Sequence, residues 1–199
     1  LMSILMPSLG RAKQKARDIV CRATLKQWGI IFYSYLQDNN DKFSRGNENG
    51  NSYGKRGWYI TLKDYYEDPE IQYCITSQKP LDEGGNIPYA AWKVQIGSQE
   101  YESGSYGING WVYNPEPEVE TMWGYPVEDN WRTPYVKRAD EVPLFFDCLW
   151  ENAWPVEENQ PPQYNGDVSR YVTECMQRVC IDRHLGAVDM LFMDSSVDN

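Results

Sequence analysis

Apolar residues in the first part of the chain return at three-, four- and seven-residue steps. Leu5, Leu9, Ala12, Ala16, Ile19, Ala23 and Ile30 fall on one stripe of a 3.6-residue repeat, with Arg11, Lys15 and Arg22 away from it. Residues 1–37 are therefore expected to form one long helix, kinked at Pro7 and Gly10. Asp38, Asn39 and Asn40 in QDNNDKF are strong breakers and should end it. A polar Gly/Asn/Ser loop follows (SRGNENGNSYGKRG). WYITLKDYYED reads as a short helix stopped by Pro69, and IQYCITSQ as a short extended segment. Beyond it, turns and short strands prevail. YGINGWVYN and VPLFFDCLW are the clearest strands, with Pro143 near the start of the second. After a proline-rich loop (155–162), YVTECMQRVCID, a turn at RHLG and AVDMLFMD read as a hairpin. SYGKRGW and SYGINGW share five of seven positions, but their flanks do not continue the match, so this is reuse of Gly and Tyr in turns rather than a repeated domain.

The pattern sits in a hydrophilic chain of 199 residues, mean hydropathy −0.67, long enough for one domain with an appendage. Charge is unevenly placed. Residues 1–40 hold six Lys/Arg against two Asp/Glu, whereas the remainder holds thirteen against twenty-seven. An acidic body argues against nucleic-acid binding, which needs a basic surface. The basic run Arg11–Arg17 reads instead as a solvated helix face, or one beside lipid headgroups. Eight Trp and fifteen Tyr against five Phe supply rings with polar handles, suited to a loop-rich extracellular domain, an interface or a sugar-binding surface.

Catalytic patterns are lacking. The single histidine, His184, has no nucleophile motif around it, and there is no glycine-rich phosphate loop. Acidic pairs such as Asp64/Glu67, Glu116/Glu118 and Glu157/Glu158 are unavoidable among 29 acidic residues, so no enzyme is expected. Five cysteines without a CxxC pair, beside one histidine, do not make a cysteine–histidine zinc site. They fit disulfides in an oxidising compartment, with at least one thiol left over. DNNDKF resembles a calcium loop but has Lys42 at position five and no Gly at six, and so reads as a helix-ending turn. No cofactor is expected; calcium held by carboxylates and carbonyls elsewhere stays open. What the first two turns do demand is a cover. Leu1, Met2, Ile4, Leu5 and Met6 leave only Ser3 polar, so lipid or copies of the same helix are expected to pack there in preference to the alternative, a core helix at the N-terminus of a monomer.

Both ends of the chain carry a resemblance. Leu5, Pro7, Leu9, Ala12, Ala16, Arg17, Cys21, then Leu25-Lys26-Gln27 with Gly29, Tyr35, Asp38 and Asn39, are similar to the N-terminal helix of the type IV pilin-like and type II secretion pseudopilin family, in the form abundant in planctomycetes. His184, Gly186 and Asp194, with Leu191 and Phe192, resemble that group's C-terminal H-x9-D-G signature. Here Ser195 stands in place of the last Gly and Ser196 where His is often found. A serine does not take positive φ easily, so the turn is expected to depart from the usual backbone. The middle matches only in patches, QYCITS and SYGINGW.

The resemblance implies an α+β fold, a long N-terminal helix packed on an antiparallel β-sheet with long loops. Residues 1–40 would be the helix, here without the start of the mature segment, and 41–199 a globular head. It implies a non-catalytic filament subunit, homo-oligomeric through a core of Leu1, Met2, Ile4, Leu5, Met6, Pro7 and Leu9, held in the inner membrane before assembly and at the cell surface after it. A Cys21–Cys74 disulfide would tie helix to head. The rival reading is a secreted, membrane-tethered binding module that engages glycan or protein through Trp123, Trp131, Trp150 and Trp154.

Overall fold

The computed structural model describes residues 2–46, 57–160, 175–179, 181–184 and 186–198, with side chains from residue 7 onward. One helix dominates: α1 runs unbroken from Met2 to Asp38 with Pro7 inside it. It ends where Asn40 and Asp41 both take positive φ (55° and 56°) and the Asp41 amide bonds back to the Leu36 carbonyl at 2.9 Å. DNNDKF is thus a left-handed helix stop.

The rest is short pieces. α2 (Trp58–Thr61) leads into a single 3-10 turn, Lys63–Tyr65. The strands are β1 (Lys79–Pro80), β2 (Ala90–Gln95), β3 (Tyr101–Gly104), β4 (Tyr106–Asn109), β5 (Thr121–Met122), β6 (Tyr125–Pro126), β7 (Pro143–Asp147) and β8 (Asn152–Ala153), with α3 (Met176–Val179) before β9 (Met190–Phe192) and β10 (Val197–Asp198). The molecule is α+β, as expected, but the strands form three sheets, not one antiparallel sheet. The main sheet has the order β10-β9-β7-β4-β8, with β4 and β8 parallel. β1-β2-β3 and β5-β6 stand apart from it.

Two segments differ from expectation. IQYCITSQ is not extended: Asp68 accepts a hydrogen bond from the Glu70 amide at 3.0 Å and caps a 3-10 turn, Pro69–Gln72, before a tight Cys74–Ser77 bridge. The expected hairpin of YVTECMQRVCID with AVDMLFMD is also corrected. Residues 171–174 and 180 lie outside the described residues, and Met176–Val179 is helical. β9 has only two edges, and β7 and β10 take both.

The body binds the second half of α1. Cys21, Leu25, Trp28, Phe32, Tyr35 and Leu36 are buried, and α1 packs on β9 and β10. Trp28 meets Trp58 and Phe145 with ring centroids 5.1 Å apart in each case, and its indole nitrogen donates to the Ile71 carbonyl at 2.9 Å. Trp58 sits edge-on to Phe145 at 4.7 Å and to Trp92 at 5.8 Å. The Trp-rich composition therefore builds a core of edge-to-face rings. Cys21 and Cys74 are joined, Cα atoms 5.4 Å apart, fastening α1 to the loop before β1.

Candidate functional site

The two signature segments meet on α1, about two turns apart. The C-terminal hairpin turn lies against Lys26 and Gly29. A Cβ on Gly29 would come 3.2 Å from Leu191 Cδ1, so the glycine lets β9 approach the helix closely. Lys26 Nζ donates to the Ser195 carbonyl at 3.0 Å, and Arg22 donates to the Val197 carbonyl at 3.1 Å. Asp194 Oδ1 accepts from the Ser196 amide at 2.7 Å; hydrogen bonds from the Ser196 hydroxyl and amide hold its carboxyl below the ordinary range. Ser195 has φ +67°, so the turn keeps a left-handed backbone although glycine is absent, contrary to expectation. The Lys26 bond and the Asp194 cap offset a strain of order 1 kcal/mol.

His184 docks nearer the start of the helix, inside a largely buried charged cluster. Strand β7 ends in Asp147, the loop before β9 supplies Asp189, and Arg183 and His184 precede it; Asp147 and Asp189 are fully buried. Arg183 donates to the carbonyls of Pro88 (2.8 Å), Ser105 (2.7 Å), Ala90 (2.8 Å) and Cys148 (3.4 Å) and to Asp147 Oδ1 (3.2 Å). A guanidinium suits this site because its donors fan out in a plane toward several acceptors. His184 Nε2 lies 3.0 Å from Asp147 Oδ2 and 3.5 Å from Asp189 Oδ2, and Nδ1 lies 3.7 Å from Asp18 Oδ1 on α1. Cys74 Sγ of the disulfide is 3.3 Å from Nε2.

Electrostatics follow from that crowding. Burial alone would lower the His184 pKa. The 3.0 Å approach of Asp147 and the carboxylate charges of Asp147, Asp189 and Asp18 outweigh it, and the net shift is upward. Asp189 is pushed up to about 7, by burial first, with Asp147 and Asp18 adding to the rise while His184 and Arg22 oppose it. Neither Asp189 oxygen receives a hydrogen bond among the described residues, and Asp18 Oδ1 and Asp147 Oδ2 are likewise unserved. A cavity of about 380 Å³, lined by Gln14, Arg17, Thr76, Tyr89 and His184, opens beside the cluster.

The residues of the expected filament core are differently placed. Leu1 lies outside the described residues. Met2, Ile4, Leu5 and Met6 are helical, but their side chains are not described. Pro7 is exposed and Leu9 is 71 % exposed. Of the four tryptophans expected on a binding surface, Trp123 and Trp131 are exposed, Trp150 is half-buried, and Trp154 is in the core, stacked on Tyr125 at 5.6 Å. Gly186 has φ +88°, and its amide donates to Asp182 Oδ1 at 2.8 Å, beside but not inside the charged cluster. Sequence reasoning did not single out Asp18, Asp147, Arg183 or Asp189. One signal was available: Asp147 in PLFFDCLW and Asp189 in AVDMLFM interrupt apolar runs, where a carboxylate needs a partner.

No helix among the described residues is long and apolar enough to cross a membrane. No known family model, curated protein or solved structure matches the chain.

Proposed function

We propose that this chain is a non-catalytic structural subunit of a type IV pilus-like or type II secretion pseudopilus-like filament, assembled through α1 and displayed at the cell surface after an inner-membrane stage. One observation carries the reading: every described side chain of α1 from Pro7 to Arg17 is exposed, so the helix extends well beyond its body. Along the free side, Leu9, Ala12, Ala16, Ile19, Ala23 and Ile30 form an apolar stripe that the body leaves uncovered. Its lower end borders a groove of about 620 Å³ floored by Ile30, Ile31 and Ile71 and rimmed by Glu67, Asp68 and Glu70. In a homo-oligomer the basic collar Arg11–Arg17 of one copy is the natural counterpart of such an acidic rim.

Negative-stain microscopy of cells making the full-length protein tests the reading. Filaments are expected with the native chain. They should be lost on reversing charge at Lys13, Lys15 and Arg17 together, while the secreted body stays folded. Unchanged filaments in that variant, or only monomers from the native chain, would refute it; the latter would favour a tethered binding module using Trp123 and Trp131, the exposed pair.

A further inference from the structure

We propose that Asp18, His184 and Asp189 form a divalent transition-metal site, fitted to Zn2+, between α1 and the loop before β9. A carboxylate oxygen from each aspartate and one ring nitrogen of His184 lie within 4.8 Å of one another. Tetrahedral zinc holds its ligands about 3.4 Å apart, so modest side-chain rotation closes the set. The unserved oxygens point to a missing partner: both of Asp189, in a side chain with no solvent exposure, Oδ2 of Asp147 and Oδ1 of Asp18.

The surroundings match the pattern of a metal-bound imidazole. Nε2 lies 3.0 Å from Asp147 Oδ2, and a proton carried on that side leaves Nδ1 with its lone pair toward Asp18. Metal-ligating histidines use their second nitrogen in this way, and Asp147 is in turn held by Arg183. Three carboxylates face the single buried guanidinium of Arg183, an acidic balance that a divalent cation binding in place of protons would offset. An imidazole among carboxylates favours zinc or its first-row neighbours over calcium and magnesium, which prefer all-oxygen shells. The cavity beside His184 gives an ion its route in. The ion would join α1 to the body on the same side as the disulfide, and the site does not depend on the filament reading.

The experiment uses the purified chain with its disulfide intact, stripped with EDTA and titrated with ZnCl2, CaCl2 and MgCl2 by calorimetry and native mass spectrometry. One Zn2+ per chain is expected, with a rise in melting temperature, and no saturable calcium or magnesium binding. Asp189→Asn and Asp18→Asn should each weaken zinc at least ten-fold. Asp18 is partly exposed, so its variant keeps the test open if Asp189→Asn fails to fold. Co2+ replacing zinc should show no thiolate charge-transfer band. Failure to bind zinc in excess overturns the proposal, as does undiminished binding in the Asp18→Asn protein. Binding that appears only after reduction, with the thiolate band, would place the ion on Cys21 and Cys74 and overturn it equally.

Discussion

The two halves of α1 share a helix but not a setting. From Cys21 to Leu36, one face is covered by the body and carries Trp28, Phe32, Tyr35 and Leu36; from Pro7 to Arg17, every described side chain is exposed and the apolar positions are Leu9, Ala12 and Ala16. The packed face and the apolar stripe read from the sequence lie about half a turn apart round the axis, at about 100° per residue. Periodicity finds a helix and an apolar face. It does not say which face meets the body. Ring size was the better guide here, because a large aromatic side chain recovers far more burial energy than alanine.

The sharpest way to break the comparison is to attack the anchored half. Trp28→Ala should cost about 3–5 kcal/mol in chemical unfolding, since it removes a fully buried indole and leaves the Ile71 carbonyl without its donor. A loss below about 1 kcal/mol would mean the helix is not held by that face. Next, reducing the Cys21–Cys74 bond, which spans a sequence separation of 53, should lower stability by about 4 kcal/mol, read as a shift in the denaturant midpoint.

A third test concerns the body beneath the anchored half. Burial pushes the fully buried Glu151 carboxyl up to about 7 from 4.5, and its main-chain carbonyl holds the Trp58 indole at 2.7 Å. The folded state keeps this proton to higher pH than the unfolded chain. Stability from this group is therefore greatest below pH 4.5 and falls as pH rises to about 7, by about 3 kcal/mol in all. Glu151→Gln should flatten that part of the stability–pH curve, and an unchanged slope would assign the dependence elsewhere. The smallest effect belongs to the free half. Leu9→Ser and Ile19→Ser should change the stability of the isolated chain by no more than about 0.5 kcal/mol. A larger loss would show that the stripe already packs within one chain.

Much of the fold was legible from local pattern. The span of α1, its stop at Asp38–Asp41, and the strands at Tyr106 and Pro143 follow from periodicity, breakers and β-branched or aromatic runs. Partner choice was not. Residues 176–179 are helical and β9 pairs with β7 and β10 instead, a choice made across the whole sheet and not visible in those residues. Ser195 takes positive φ in a turn whose carbonyl is bonded by Lys26, 169 residues upstream and out of view of any local pattern. In the charged cluster, only His184 and the Cys21–Cys74 pair had been singled out. Arg183 and the three aspartates looked like ordinary members of an acidic chain, and their burial shows only once α1, β7 and the last loop come together.

Arg183 also sets an order of events. Its four carbonyl acceptors lie between 35 and 95 residues earlier in the chain. While the polypeptide is being made, those segments exist without the one group that gathers them, and Asp147 has no cation beside it. The body can gather these segments on Arg183 only after that residue has been made, so its closure waits for residue 183.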